Sequence, residues 1–462
     1  MYKAYVTTIK NVRKHPNADR LQLGECFGNT VCVNLDYTEG QIGVYFPTDG
    51  QLSVKFAEAN NLLRKKDAEG NNIGGYMDPD KRNVTSIRLR GEKSDGLFLP
   101  LTCLESFGDI STLKVGDVID VFNGHEICKK YIPRSNRRYG NSGGNKTRKK
   151  KVDIAPLFVE HADTEQLAYN LSAFKPGDEI EITLKMHGTS QRTAYLPVFK
   201  RYKRSLKDRI LRREGTPVYD WGYVSGTRRT VLENYDGGYY GSNEFREQHS
   251  KFFEGKLWKG EEIFYEVVGF THTGTPIMAT ADNKKINDKE FVKQYGKTTT
   301  FSYGCEPDGK RVKPVIDEDL GHGVTMADVP QSDIYVYRMT MTNEDGNVIE
   351  YTPDFMRYRC EQMGVKTVPV FWNGVIPYAD WLEANTWESA GDYVLSRAEK
   401  FYDGPDPVGK THVREGVVVR ILNRPKFAAY KHKNFSFKVL EGIIKDVADS
   451  PDMEEAEGLE NE

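Results

Sequence analysis

The sequence predicts a multidomain α+β protein: a β-rich N-terminal domain closing as a small barrel, then a larger domain of antiparallel sheets and helices. Three observations carry this. The chain has 462 residues, more than one hydrophobic core sustains, since single cores stop growing at about 250–300 residues. Residues 1–123 hold short apolar runs ("LQLGECF", "TVCVNL", "QIGVYF", "GLFLPL") broken by turn signals such as "TDG", "EGNNIGG" and "SDG", the spacing of a small barrel. Beyond residue 156, strand-like alternation is mixed with helix-like segments.

Composition and charge set the boundaries. At 38% hydrophobic and 29% charged residues the chain reads as globular and water-soluble, and no run approaches the ~18 apolar residues of a membrane span. The opening "MYKAYVTTIKNVRK" has no apolar signal-peptide core. Six scattered cysteines without a CxxC pair read as reduced thiols of a cytoplasmic protein and argue against zinc. A net charge of −2 hides segregation: residues 129–151 hold ten Lys/Arg and no acid, residues 200–213 eight and one acid, and residues 446–462 eight acids and no base. Two basic blocks point to a polyanionic partner, although charge runs also occur on solvated faces. The expected organisation is 1–123 barrel, 124–155 basic flexible linker, 156–445 main domain and 446–462 acidic disordered tail.

In the main domain "DEIEITLK" places Ile180, Ile182 and Leu184 on one face of a strand. "EIFYEVVGF" (262–270), "DIYVYRMTMT" (333–342) and "EGVVVRIL" (415–422) are strand-like, and "NEFREQHSKFFEGKLW" (243–258) is helix-like. Each strand carries a polar residue unlike its neighbours, namely Lys185, Glu266, Arg338 and Glu415, as in a sheet lining a cleft. Taken singly, a Lys-x-x-Gly or a strand glutamate is uninformative. Together they suit one chemistry. Lys185 is a nucleophile if burial or a neighbouring cation lowers its pKa. Glu266 and Glu415 suit a sugar hydroxyl and a divalent metal, and Lys431 and Lys433 suit a phosphate.

The order of these motifs resembles the covalent nucleotidyltransferase superfamily of polynucleotide ligases and capping enzymes. "KMHGTS" (185–190) looks like the nucleotidyl-lysine motif. "SGTRRTVL" (225–232), "FYEVVG" (264–269), "YVYRMT" (335–340), "EGVVVR" (415–420) and "YKHKNFSFK" (430–438) are similar to the motifs that follow it. Histidine two places after the lysine points to RNA ligases. "HPNADRLQL" (15–23), "GQIGVYFPTDGQL" (40–52) and "IRLRGEKSDGLFLPL" (87–101) look like the OB-fold module that precedes the catalytic domain in the fifth RNA ligase family.

The resemblance implies an OB-like barrel followed by a nucleotidyltransferase (ATP-grasp-like ligase) domain, using ATP and Mg²⁺, with Mn²⁺ as the alternative ion. It implies Lys185 as the AMP-accepting nucleophile, Lys431 and Lys433 on the α-phosphate, and Glu415 on the metal. Glu266 would take the ribose, Tyr337 the adenine face, and Arg228 or Arg229 the nucleotide or the 3′-OH end. Gly188 shapes the nucleophile turn, and His187 either touches the leaving phosphates or braces that turn. Lys149, Lys150, Lys151 and Arg204 are expected on nucleic acid, though the 200–213 block looks like an insertion to which the resemblance assigns no role. Leu184 stands where related ligases often have glutamate, which removes any contact assigned to that carboxylate. The expected protein is a monomeric RNA ligase acting in the cytoplasm, in a host's if phage-encoded, on RNA or an RNA-containing duplex with 3′-OH and 5′-phosphate ends. The rival readings are a capping-type GTP:RNA guanylyltransferase and a non-catalytic OB-fold RNA- or tRNA-binding protein.

Overall fold

The computed structural model describes residues 2–66, 68–69, 72–131, 153–159, 161, 164–211, 213–228, 231–232, 235, 244–271, 276–301, 303, 332–424 and 426–447. The expected linker core and acidic tail, with Arg229, Lys149, Lys150 and Lys151, lie outside them. The chain forms two compact units. The first comprises residues 1–135, 281–298 and 435–451, and the second residues 136–280, 299–434 and 452–462. Among the described residues no helix is long and apolar enough to cross a membrane.

The first unit is built of short antiparallel sheets. Its largest orders Leu97–Pro100, Ile42–Phe46, Ala4–Thr8 and Val118–Ile119, over a core that includes Val6, Val44, Phe46, Phe56 and Leu104. None of the sheets closes on itself among the described residues, so the expected barrel is not present as one continuous ladder. Its strands run only two to five residues. His15 of the "HPNADRL" motif is buried in a turn. Its Nδ1 accepts the Asn17 N–H at 3.0 Å, which leaves Nε2 protonated to donate to the Leu89 carbonyl at 3.1 Å. Helix Phe435–Val447 belongs to this unit; Phe437 and Leu440 are fully buried, and Lys438 pairs with Asp95.

The second unit holds two larger sheets. In chain order its elements include β1 (Glu179–Lys185), β2 (Thr189–Lys203), β3 (Thr216–Gly226) and α1 (Glu244–Phe252). There follow β4 (Glu261–Gly269), β5 (Ser332–Thr342), β6 (Val348–Glu350) and α2 (Pro353–Met363). The last are β7 (Val370–Val375), β8 (Gly416–Ile421) and β9 (Ala428–Lys433). One sheet orders β9-β8-β1-β7, with the short strand Glu165–Gln166 parallel at its β9 edge. The other orders β3-β2-β4-β5-β6, and all these pairs except the Glu165–Gln166 edge are antiparallel. Alternation sorts the first sheet into two faces: Ile180, Ile182, Val417, Val419 and Ile421 pack into the core, while Glu181, Thr183 and Lys185 point the other way.

Candidate active site

Register builds the site. Lys185, the last residue of β1, lies opposite Gly416, and Gly416 lies opposite Lys433 of β9. Directly opposed residues share a face, so the two lysines flank Gly416 on the polar side, with Lys431 two residues along on the same side. A side chain at position 416 is impossible: φ is +150°, and an added Cβ would lie 2.1 Å from the His432 carbonyl oxygen. Glu415, one residue before β8, therefore reaches both cations. Its Oε1 is 2.8 Å from Lys185 Nζ and 3.3 Å from Lys433 Nζ, and its Oε2 is 3.5 Å from His187 Nδ1.

Glu415 is only 3% exposed. Burial alone pushes its carboxyl pKa up, but Lys185, Lys433 and His187 outweigh that and hold it well below the usual carboxylate range. The site is thus one ionised carboxylate under two ammonium groups, a net positive pocket suited to phosphate.

The other sheet supplies the facing residues. Ser190 of β2 lies opposite Glu266 of β4, which lies opposite Tyr335 of β5. Gly188 sits hard against this row, because a Cβ there would be 2.4 Å from the Val267 carbonyl oxygen and 2.8 Å from Glu266 Cγ. The β4–β5 register shifts between Phe264 and Tyr265, so Tyr337 is the extra, bulged residue. The bulge carries its hydroxyl to 3.0 Å from Ser190 Oγ. Arg228, just past β3, is half-buried, and its carbonyl accepts the His161 N–H at 3.1 Å. Lys185, His187, Lys433 and Glu415 thus meet directly, and Gly188, Glu266 and Tyr337 lie along the next row. Arg204 is exposed beyond the far end of β2, away from this cluster.

Two features have little signal in the sequence. Glu350 of β6 takes Arg338 Nε at 3.0 Å and Arg420 Nη2 at 3.4 Å, tying the two sheets together. Arg338 is further held between Phe264 and Phe427, 4.6 and 4.2 Å from their ring centroids, and lies 2.8 Å from His161 Nδ1. The second feature sits behind the nucleophile turn. Tyr303 Oη accepts the His187 N–H at 3.0 Å and donates to Asp406 Oδ2 at 3.4 Å. Asp406 Oδ1 accepts the N–H groups of Val408 and Gly409, both at 2.8 Å. Burial, then the Asp406 charge, drive the Tyr303 pKa far above its ordinary value, so the hydroxyl keeps its proton. The His187 ring meets Phe301 edge-on at 4.5 Å. The Asx-turn dipeptide in "DPVGK" (406–410) is the one available sequence signal.

A buried carboxylate under two part-exposed lysine amines is suited to phosphates. Comparison with solved structures agrees at the level of fold. The chain is similar to the RNA ligase of Naegleria gruberi in complex with ATP and Mn, a lysine-to-alanine variant: TM-score 0.53, 16% identity, covering 97% of this chain and 99% of that one. It is equally similar to the same ligase with pyrophosphate, TM-score 0.52 at 16% identity over 97% and 99% of the two chains. No protein-family model and no curated protein matches the sequence. The chain therefore has the fold of an RNA ligase.

Proposed function

We propose that the chain is an ATP-dependent RNA ligase joining a 3′-OH RNA end to a 5′-phosphate end, in the repair of RNA nicks or breaks. The observation that carries this is Glu415 shared by Lys185 and Lys433 across Gly416, supported by the fold. In the first step Lys185 Nζ, after losing a proton, attacks the ATP α-phosphorus. An N–P bond forms, the bond from that phosphorus to the bridging oxygen breaks, and pyrophosphate leaves. An oxygen of the RNA 5′-phosphate then attacks the same phosphorus, the N–P bond breaks, and the amine is regenerated. Finally the 3′-OH, giving up its proton, attacks the activated 5′-phosphorus and AMP departs.

These steps need alignment and charge neutralisation more than acid–base chemistry. Lys431 and Lys433 take the α-phosphate, Glu266 the ribose hydroxyls, Tyr337 the adenine face, and Arg228 the nucleotide or the 3′-OH end. Gly188 lets the turn approach the row, and His187 lies toward the leaving phosphates. Among the described residues no cluster of three or more His, Cys, Asp or Glu could hold a metal. A lone ionised carboxylate nevertheless fits Mg²⁺ or Mn²⁺, because such an ion keeps waters and substrate oxygens as most of its ligands. Glu415 would hold it, and when bound it neutralises phosphate charge. The first unit serves as an OB-like grip on RNA, and the protein works as a cytoplasmic monomer.

The test is incubation of the full chain with α-labelled ATP or GTP, peptide mapping of the label, then addition of nicked RNA duplexes. Label on Lys185 from ATP, followed by sealing, is expected. Label from GTP alone would make the chain a capping-type enzyme, and no label at all a non-catalytic RNA-binding protein.

A further inference from the structure

The basic block at 200–213 has no task in this chemistry. It forms the tip of the antiparallel hairpin of β2 and β3, paired from Arg192–Gly226 out to Lys203–Thr216, with the register shifting between Phe199 and Arg201 so that Lys200 is bulged out. One turn of helix, Leu206–Ile210, closes the tip through a capping box. Ser205 Oγ accepts the Asp208 N–H, and the Asp208 carboxylate accepts the Ser205 N–H. The block's one acid is thereby taken up by the cap. Lys200, Arg201, Lys203, Lys207, Arg209 and Arg213 are all exposed, and none has an ion-pair partner among the described residues.

Next to these cations is a ladder of rings. The one-residue bulge at Lys200 puts Tyr195, Phe199 and Tyr202 of β2 on the same face as Tyr219, Trp221 and Tyr223 of β3. Tyr195 stacks on Tyr223 at 4.6 Å, and Phe199 lies 5.0 Å from Tyr202 and 6.2 Å from Tyr219. All six are half-buried, so each keeps some ring surface open. The inner end is anchored, with Tyr223 Oη accepting the Gly255 N–H at 2.6 Å; the outer end lies among the cations.

We propose that this hairpin is a grip for an unpaired RNA strand, with bases stacking on the ring ladder and phosphates neutralised by the tip. Crowding like charges on a two-stranded ribbon destabilises it, so stiffening alone does not account for the block, whereas a polyanion relieves the repulsion. Rings select for unpaired bases, since the bases of a duplex are already stacked and shielded. The inference rests on the RNA-ligase reading for its partner, and its test is separable from that reading.

The experiment compares full-length wild type, R201E/K203E, Tyr202→Ala and Tyr202→Phe. It measures the affinity of each for a labelled 20-nucleotide single-stranded RNA and for a blunt RNA duplex across a salt series, and Lys185 labelling by ATP in the same preparations. The charge-reversed protein should lose affinity and flatten the log–log salt slope by about 1.4, at ~0.7 per phosphate contact on single strands. Tyr202→Ala should weaken single-strand binding by roughly 5- to 100-fold without changing the slope, and Tyr202→Phe should restore it. Normal ATP labelling in the variants confirms that they are folded. Unchanged single-strand affinity in correctly labelled variants overturns the grip, and an equal loss on the blunt duplex overturns its preference for unpaired RNA. Failure of the wild type to label would sink the ligase reading, while the variant affinities would still decide the grip.

Discussion

Lys185 Nζ and Glu415 Oε1 lie 2.8 Å apart, one at the end of a strand and the other just before the start of its neighbour. The lysine side chain is 24% exposed and the carboxylate 3%, so the proposed nucleophile stands at the mouth of the pocket on a buried counter-charge. Removing the amine removes the group proposed to carry AMP, and leaves Lys433 on the same carboxylate. Lys185→Ala should therefore show no label from α-labelled ATP, yet still seal ends supplied already adenylylated, at a reduced rate. Label on another lysine in a peptide map would refute the assignment.

Glu415→Gln keeps the shape and removes the charge, leaving Lys185 and Lys433 to repel each other. Lysine labelling should fall by more than 100-fold at pH 7. Stability should follow pH in a defined way. Because the folded carboxyl pKa lies below the ordinary 4.5, the unfolded chain binds the proton first. The stabilisation is present in full above about pH 4.5 and is lost as pH falls toward the folded value. Melting temperatures from pH 7 to pH 3 should fall for the wild type and fall less steeply for Glu415→Gln. Parallel curves would mean the carboxylate is not held in this way.

Tyr303 touches the turn after Lys185 through the His187 N–H, so on the proposed reading it acts on the nucleophile through that turn. Tyr303→Phe leaves the His187 N–H without its acceptor, at a cost of about 1–3 kcal/mol for a buried unpaired donor, while the ring contacts survive. The expected result is a roughly tenfold lower rate of Lys185 labelling with KM for ATP little changed. A rise in KM with an unchanged rate would place Tyr303 on the nucleotide instead.

The Lys185–Glu415–Lys433 row was legible from the order of the motifs, whereas the register that puts Lys185 and Lys433 on one face across Gly416 comes only from the structure. Gly188 was legible from the same motifs, as a turn residue. Tyr303, Asp406 and the Glu350 bridge were not legible, because Tyr303 works through partners 116 and 103 residues away and Glu350 through partners 12 and 70 residues away, and no local periodicity marks such pairs. The bulges at Tyr337 and Lys200 are one-residue register shifts that look like ordinary strand in the sequence. Barrel closure in the first unit is not confirmed among the described residues: turn spacing counts strands but does not say whether they hydrogen-bond into one ladder.

Helix Phe435–Val447 sets the terms of any truncation. It follows the last motif strand directly, yet it clusters with the first unit, where Phe437 and Leu440 are fully buried and Val439 is 6% exposed. Deleting residues 1–131 alone strips part of the cover from these side chains and leaves only residues 281–298 of that unit against the helix; burying each side chain is worth about 1.5–3 kcal/mol, and an exposed apolar stripe promotes association. Such a protein should aggregate. A fragment that also ends at residue 434 and replaces residues 281–298, which belong to the first unit, with a short linker keeps Lys185, Glu415, Lys431 and Lys433 and removes the stripe, so it should stay monomeric in size-exclusion chromatography and label Lys185 with ATP. Sealing of nicked RNA by that fragment should be severely reduced, because the proposed RNA grip of the first unit is gone. Full sealing by the shorter fragment would show that the first unit has no part in holding RNA. A soluble, active protein lacking only residues 1–131 would show that the helix does not depend on it.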